Sequence, residues 1–370
     1  MEFTFSEEQE ALRATVRDVL ERESPVSLVR ERADRNERAP SAAWQRVVEL
    51  GWSATLVPDQ PGGLGLGMVE TVVIMEEIGR ALYDGPFLSS AVLATLAARA
   101  FAADDLLTAL ATGAQRGTVA IEERGHGDPL GRITTVAHPD GTLHGTKPLV
   151  IDGDTCDWVI VAARDTDADA DGPLGTYLVR EPQTTPTPAL DITRRFATIE
   201  LDGTPALRIG PAGDHTDRWR EIVDAGAVAL AAEMVGVAEA ADALALDYAQ
   251  AREVFGKPLS KFQVTRHKAV DLLREIELAR VAVHYAAWAL DADAPERNDA
   301  VAMAKSYAAE AANHVTAECI QIHGGVGYTW ECDAHLFLRR AKVDDLLLGN
   351  QGWWRERLAA DYFAALAPLA

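Results

Sequence analysis

Along the first hundred residues apolar side chains recur every three to four positions. In "SEEQEALRATVRDVLERE", Leu12, Val16 and Leu20 fall on one face at four-residue steps, the pattern of an amphipathic helix. Ser6 before that run and Gln9 three residues on make a capping box in its glutamine form. "SAAWQRVVELGW" repeats the idea, with Ser41 before the run and Gly51 ending it. "PDQPGGLGLG" is a loop by composition, after which "MVETVVIMEEIGRAL" and "SSAVLATLAARAFAADDLLTALATG" return to helix. From about residue 115 to 212 the pattern changes. "GTLHGTKPLVIDG", "DWVIVAAR", "GTYLVR" and "FATIELDG" are short β-branched runs separated by Gly, Asp and Pro. They predict a small antiparallel β-domain, with a hairpin at "HPDGTL", where Asp-Gly makes the turn. From about residue 216, "DRWREIVDAGAVALAAEMVGVAEAADALALDYAQAREVF" contains no proline and two isolated glycines. A run of this length predicts a bundle of long helices. The fold class is therefore mainly α with a small β-domain, in three blocks: 1–113, 114–213 and 214–370.

A chain of 370 residues is long for one core and suits two or three subdomains. Thirty-five basic against fifty-seven acidic side chains give a net charge of -22. That charge argues against nucleic acid and against an anionic membrane surface as partners. Cys156, Cys319 and Cys332 are odd in number, scattered and without a CxxC pair. They suggest a reduced, cytoplasmic protein without disulfides or a metal site. The start, "MEFTFSEEQEALR", is unlike a signal peptide, and no apolar run reaches the roughly 18 residues of a membrane span. "DTDADADGP" has the acidity of a calcium loop. It lacks the closing glutamate and the flanking helices of an EF-hand, so we read it as a surface loop.

Chemistry concentrates in two stretches. "QIHGGVGYTWECD" places Gly324, Gly325 and Gly327 between two helical runs, although each glycine in a helix costs about 1 kcal/mol against alanine. One reading is a tight turn where two helices cross. The other is a set of exposed backbone N–H groups suited to an anion. The cluster follows a helix rather than a strand, so it is neither a dinucleotide fingerprint nor a P-loop. The second stretch is "REVFGKPLSKFQ", residues 252–263. Arg252 can make charge-assisted bonds to phosphate and Gln263 can bond a further polar group. Equally, Arg252 can be a helix-end cation favoured by the dipole.

Taken in this order, "FTFSEEQEALR", "VPDQPGGLGLGMVETVVIMEEIGRAL", "LHGTKPLVIDG", "REVFGKPLSKFQ" and "QIHGGVGYTWECDAHLFLRRAK" resemble the acyl-CoA dehydrogenase family along essentially the whole chain. The resemblance implies a helical domain, a β-barrel-like middle domain and a C-terminal four-helix bundle, assembled as a tetramer. It implies FAD between the middle domain and the bundle. Arg252, Phe255 and Gln263, with Gln321, Ile322, His323, Gly324 and Gly325, would approach the pyrophosphate and adenosine of the cofactor held by the other subunit. It implies an acyl-CoA or acyl-carrier thioester as substrate and an electron-transfer flavoprotein or similar acceptor. The family reaction needs a carboxylate base at the α-carbon and hydrogen bonds to the thioester carbonyl.

The chain departs from the family where that chemistry is done. In most members the base is a glutamate shortly after an Arg-x-Ala-Lys segment; in "RRAKVDDLLLGN" Leu348 stands there. In a minority it lies on the long helix, where Gly226 stands here. Asp344, Asp345 and Glu233 are nearby carboxylates, otherwise read as a solvated aspartate pair and a helix-surface glutamate. The Thr-Glu-Pro segment that touches the flavin ring should follow "GTVA", which is followed here by "IEERGHGDP". The Trp-Ile-Thr or Trp-Ile-Ser segment should follow Lys147, which is followed by "PLVIDG". Elements serving the partner's cofactor are kept, and those serving the chain's own ring are altered. The expectation is one subunit of a heteromeric dehydrogenase. A homomeric enzyme with a relocated base, a flavin oxidase or monooxygenase, and a non-catalytic subunit are the alternatives.

Overall fold

A computed structural model describes residues 5–37, 41–123, 125, 127–165 and 172–366. The first helix, α1 (Glu7–Glu23), starts where the capping box places it. The Ser6 hydroxyl accepts from the Gln9 amide at 3.2 Å and the Gln9 side chain accepts from the Ser6 amide at 3.0 Å. Val16 and Leu20 on its apolar face are buried. There follow α2 (Val26–Asp34), α3 (Ser41–Glu49) and α4 (Met68–Arg80). The run after α4 is not α-helical throughout: residues 87–94 are π-helical before α5 (Thr95–Ala100) and α6 (Asp104–Ala111). π-turns are uncommon and tend to lie at functional sites.

The middle block holds β1 (Gly117–Ala120), β2 (Val136–Ala137), β3 (Thr142–Ile151), β4 (Trp158–Asp165), β5 (Leu174–Arg180), β6 (Thr184–Thr187), β7 (Phe196–Pro205) and β8 (Leu207–Arg208). They form one sheet in the order β6-β7-β3-β2-β4-β5-β8, with β1 beside β4. The hairpin at "HPDGTL" is present, pairing Val136 with His144 and Ala137 with Leu143 around Gly141 at φ 84°. The small β-domain between two helical blocks is as expected, and its pairing is corrected in one respect. β1 and β2 run parallel to β4, so the sheet is mixed rather than antiparallel throughout, and it is barrel-like only loosely, since it does not close. Local turn chemistry predicts hairpins and is blind to a strand that returns alongside a distant neighbour. Along β4, Trp158, Ile160 and Ala162 join the main core with the helices, while Val159, Val161 and Ala163 join a second core on the opposite face. Burial on both faces explains why that strand reads as an unbroken apolar run. Of "DTDADADGP", residues 166–171 lie outside the described residues.

The last block contains α7 (Thr216–Ala251), a hairpin of β9 (Glu253–Val254) and β10 (Lys257–Pro258), then α8 (Gln263–Asp291), α9 (Arg297–His323), α10 (Ala334–Leu346) and α11 (Gln351–Leu366). Helices α7 to α10 pack on one another and α11 packs on α9. The α4–α7 contact is backbone on backbone. A Cβ at Gly79 would stand 2.0 Å from the Glu233 carbonyl oxygen, and one at Gly236 would stand 1.8 Å from that of Glu76. This approach fixes α7, which carries both Gly226 and the helix end at Arg252. Cys156, Cys319 and Cys332 are all free. No helix among the described residues is long and apolar enough to cross a membrane.

Candidate functional site

The two chemistry-bearing stretches meet. Arg252 at the end of α7 and Ile322, His323, Gly324 and Gly325 at the end of α9 line one cleft of about 470 Å³, with Tyr248 and Thr329. His323 stacks on Tyr248 at 4.4 Å between ring centroids, and its Nδ1 N–H donates to the Cys319 carbonyl at 2.8 Å. The cleft wall is therefore fixed, while Arg252 is exposed at its rim. Phe255, Gln263 and Gln321 lie outside the cleft lining.

The three glycines differ in cause. Gly327 is structural: a Cβ there would come 2.7 Å from the Ile320 carbonyl oxygen. Gly324 sits at φ 62°, a backbone state that side chains disfavour. A Cβ on Gly325 would meet nothing within 4 Å, and Gly325 is exposed. Nothing inside the fold requires glycine at 325.

Beside this cleft stands the β9–β10 hairpin. Its two loop residues, Phe255 and Gly256, have φ of 52° and 77°. Positive φ at both positions suits the twist of a two-residue hairpin, yet phenylalanine there is strained by about 1–3 kcal/mol. Phe255 is also 94% exposed. A strained, exposed aromatic gains nothing within its own chain.

At the other end of the C-terminal block lies the base corner. Gly226 on α7 and Leu348 in the α10–α11 turn, far apart in sequence, face each other. A Cβ at Gly226 would stand 2.7 Å from Leu348 Cδ1 and 2.6 Å from Leu93 Cδ2 in the π-helical segment. Leu348 is buried and has φ 55°. Its turn is pinned from several sides. Buried Lys305 donates to the carbonyls of Asp344 at 2.8 Å and Asp345 at 3.0 Å, and Trp354 Nε1 donates to that of Leu348 at 3.1 Å.

Glu122, just past β1, completes the corner, and its role was not legible in the sequence. Its Oε1 accepts from the Leu348 amide at 2.7 Å. The side chain is half-buried. Burial pushes its carboxyl up to about 7, against the amides of Leu348 and Gly349 and the charge of Lys305, which favour the ionised form. The signal available was the doubled acid of "IEE". Its neighbour Glu123 is different. Burial alone would raise it, but the Lys147 ammonium at 2.7 Å and the two threonines at 134 and 135 hold it down to about 2.

The other three carboxylates near the corner are held in different ways, and both oxygens of Asp344 are buried without a hydrogen bond among the described residues. The reading of Asp344 as solvated and of Glu233 as a surface glutamate is corrected, because both are buried. Arg340 on α10 donates to Glu233 at 2.5 Å and to the Asp191 carboxylate at 2.5 Å. Arg194 donates to Glu233 at 2.6 Å and stands 3.3 Å from Asp344. Burial and the Glu233 charge push Asp344 well above the usual carboxylate range. This cluster ties the β-domain loop at 191–194 to α7 and α10. Asp345 accepts from the Gln351 amide at the start of α11 and from Asn313 on α9, both at 3.0 Å, which ties the two helices together, while Asn350 caps α11 by accepting from the Trp353 amide at 2.9 Å.

One further cleft, of about 710 Å³, lies on the turns of α7 preceding Gly226. Met68, Leu96 and Ile222 give it an apolar wall, and its four arginines (Arg99, Arg220, Arg297 and Arg357) are balanced by Asp217, Glu221, Asp224 and Asp291.

The chemistry of the cleft residues fits the phosphate part of FAD. The Arg252–Gly325 cleft offers a cation and an unobstructed backbone to a pyrophosphate. At the base corner, the Glu122 side chain links the end of β1 to the α10–α11 turn.

Residues 218–363 match the family model of the acyl-CoA dehydrogenase C-terminal domain and residues 6–118 that of the N-terminal domain. Acyl-CoA dehydrogenase IpdE2 of Mycolicibacterium smegmatis is 31% identical, over 97% of this chain and 100% of its own. Among solved structures, the Tcur3481–Tcur3483 steroid ACAD is 28% identical with a TM-score of 0.85, covering 98% of this chain and 99% of that one. Butyryl-CoA dehydrogenase from Megasphaera elsdenii shares the fold at 24% identity, with a TM-score of 0.89 over 98% of this chain and 100% of its own. With both terminal domains matched and a relative aligned along its full length, this chain belongs to the acyl-CoA dehydrogenase family, flavoprotein oxidoreductases acting on acyl-CoA.

Proposed function

We propose that this chain is the subunit without a base in a heteromeric, FAD-dependent acyl-CoA dehydrogenase. The observation that carries the reading is the base corner. The two positions where the family's carboxylate is expected are Gly226 and Leu348, and they pack against each other and Leu93 with no space for a carboxylate. Glu233 is bonded by Arg340 and Arg194, Asp345 by Gln351 and Asn313, and Asp344 is fully buried with Arg194 at 3.3 Å, so none of the three stands exposed as a replacement. In this reading the chain has the domain division 1–113, 114–213 and 214–370. A partner chain supplies the base and the ring pocket. This chain contributes Arg252, Phe255, Gln263 and the run Gln321–Gly325 to the phosphate and adenosine end of the partner's FAD. The substrate is an acyl-CoA thioester. A solved relative named as a steroid ACAD of two gene products favours a steroid-derived acyl group and a paired assembly, with an electron-transfer flavoprotein as acceptor.

The test is purification of this chain alone and with its partner, followed by flavin per chain and acyl-CoA-dependent reduction of an artificial acceptor. A general base contributes roughly 10² to 10⁴ in rate. The chain alone should turn over slower by that factor, and flavin should approach one per pair of chains in the complex. Full turnover by the single chain, with one flavin per chain, would overturn the reading.

A further inference from the structure

Five ionisable groups are sealed together where the β-domain meets the helices. Asp191 and Arg194 come from the loop before β7, Glu233 from α7, and Arg340 and Asp344 from α10. Asp191, Glu233, Arg340 and Asp344 are each at most 1% exposed, and the Arg194 side chain is 7% exposed. Two guanidiniums thus face three carboxyls, which leaves one negative charge over if all three are ionised. An unpaired buried charge is so costly that the group takes up a proton instead.

The hydrogen bonds identify the carboxyl left over. Asp191 accepts from Arg340 at 2.5 Å and from the Thr193 amide and hydroxyl at 2.8 and 2.6 Å. Glu233 Oε1 accepts from Arg340 at 2.5 Å and from Arg194 at 2.6 Å, while its Oε2 is buried without a donor among the described residues. Asp344 has a donor at neither oxygen. The Arg194 Nη2 that bonds Glu233 stands 3.3 Å from Asp344 Oδ1, so the two carboxyls flank one nitrogen. A proton on Asp344 supplies a donor beside Glu233 and brings the five groups to neutrality. The surrounding charges do not remove the excess. Lys305 on α9 bonds the main-chain carbonyl of Asp344 and faces Asp345 and Glu122 as well. Asp152, past β3, faces Arg194 and adds a further acid. Burial and the Glu233 charge push the Asp344 carboxyl well above its ordinary 3.8, against Arg194 and Arg340.

We propose that Asp344 keeps its carboxyl proton at neutral pH, and that this proton clasps the 191–194 loop of the β-domain to α7 and α10. Its loss sets a third negative charge against two guanidiniums away from water, and the loop opens. The clasp is independent of the heteromeric reading.

The experiment compares wild type with Asp344→Asn, which keeps the shape and a donor and cannot ionise. A proton held in the fold and released on unfolding gives a stability difference that changes by about tenfold in the folding equilibrium per pH unit. Urea denaturation should therefore show Asp344→Asn gaining on wild type as pH rises from 4 to 7. A variant that loses on wild type over that range overturns the proposal, because Asp344 would then be an ionised partner of Arg194. Infrared difference spectra at pH 7 should show one protonated-carboxyl band in wild type that Asp344→Asn lacks. That band should also vanish in Glu233→Gln, where the two guanidiniums draw the proton off Asp344. Absence of the band in wild type, or its survival in Glu233→Gln, overturns the proposal without any reliance on stability. Trypsin tests the clasp itself: cleavage after Arg194 or Arg195 should begin at the alkaline pH where the wild-type band disappears, and not in Asp344→Asn. Loss of the band with no cleavage, or equal cleavage of both proteins, would show that the proton holds nothing.

Discussion

The cleft at the end of α7 and the corner around Gly226 lie on the same helix and are built in opposite ways. The cleft is open, with a cation at its rim, a glycine whose missing side chain nothing inside the fold requires, and a strained aromatic turned to solvent. The corner is filled by Leu93 and Leu348, pinned by Lys305, Trp354 and Glu122, and contains no free carboxylate over the base positions. The first region presents an exposed cation and open backbone to solvent, and the second is packed by its own side chains. On the heteromeric reading proposed above, the shell around the two expected base positions is packed without a carboxylate, and the half that would serve another subunit is left open.

If the corner's acids are structure rather than chemistry, removing their cations should cost stability rather than rate. Arg340 is the strongest case. It is buried and bonds Asp191, Glu233 and Thr193 at once. Replacing it with alanine leaves carboxylates buried without a partner, at a cost of about 3–5 kcal/mol. Urea denaturation should show that loss, with the β-domain loosening from α7 and α10. A stable Arg340→Ala protein would mean that the cluster does not tie the blocks together.

The open cleft makes the reverse prediction. Gly325→Val should leave folding intact, because a Cβ there meets nothing within 4 Å, yet should release flavin from the assembled complex. Arg252→Ala should weaken flavin by about 1.5–3 kcal/mol through the lost charge-assisted bond. Flavin titration of the complex, with thermal melting as the control, separates the two effects. Full flavin affinity in both variants would return Arg252 to a helix-end charge and the glycines to a turn.

The filled corner can be probed by crowding it further. Gly226→Ala would place a Cβ 2.6 Å from Leu93 and 2.7 Å from Leu348, an overpacking that costs about 1–3 kcal/mol. Pairing it with Leu348→Ala should recover part of that loss, because the two sites share one space. Additive losses in the double variant would show that Leu348 and Gly226 do not meet in solution.

Sequence reasoning reached the stretches that line the cleft and singled out Gly226 and Leu348, but missed what packs around those two, for a physical reason. The cleft is written in two contiguous stretches, each with its own backbone demands: a helix end at Arg252 and glycines at 324 to 327. The order of helices, strands and helices was equally legible, because periodicity is local, and so was the capping box at Ser6. The corner is written nowhere locally. Glu122 gains its meaning from an amide at position 348, and Asp344 and Glu233 from arginines brought by another block. A carboxylate's burial depends on what packs over it, so an acidic pair in a helical run reads as solvated until the partners are known. The parallel pairing of β1 with β4 escaped for the same reason.

The smallest predicted effect is on pH dependence, and it bears on the corner alone. In the folded chain burial raises Glu122 from its ordinary value to about 7. A carboxyl whose folded pKa is raised contributes stability that is fully present below its unfolded pKa and is lost as pH rises through the folded one. Ionising Glu122 in place therefore costs the fold, and the cost builds up between its ordinary value of 4.5 and the folded value of about 7. Glu122→Gln keeps an acceptor for the Leu348 amide and cannot ionise. Its stability relative to wild type should rise as pH is taken from 5 towards 7 and level off above that. Melting both proteins across that range measures the difference directly. Parallel curves would mean that the carboxyl is solvated in the folded chain, and then the corner would be as open as the cleft.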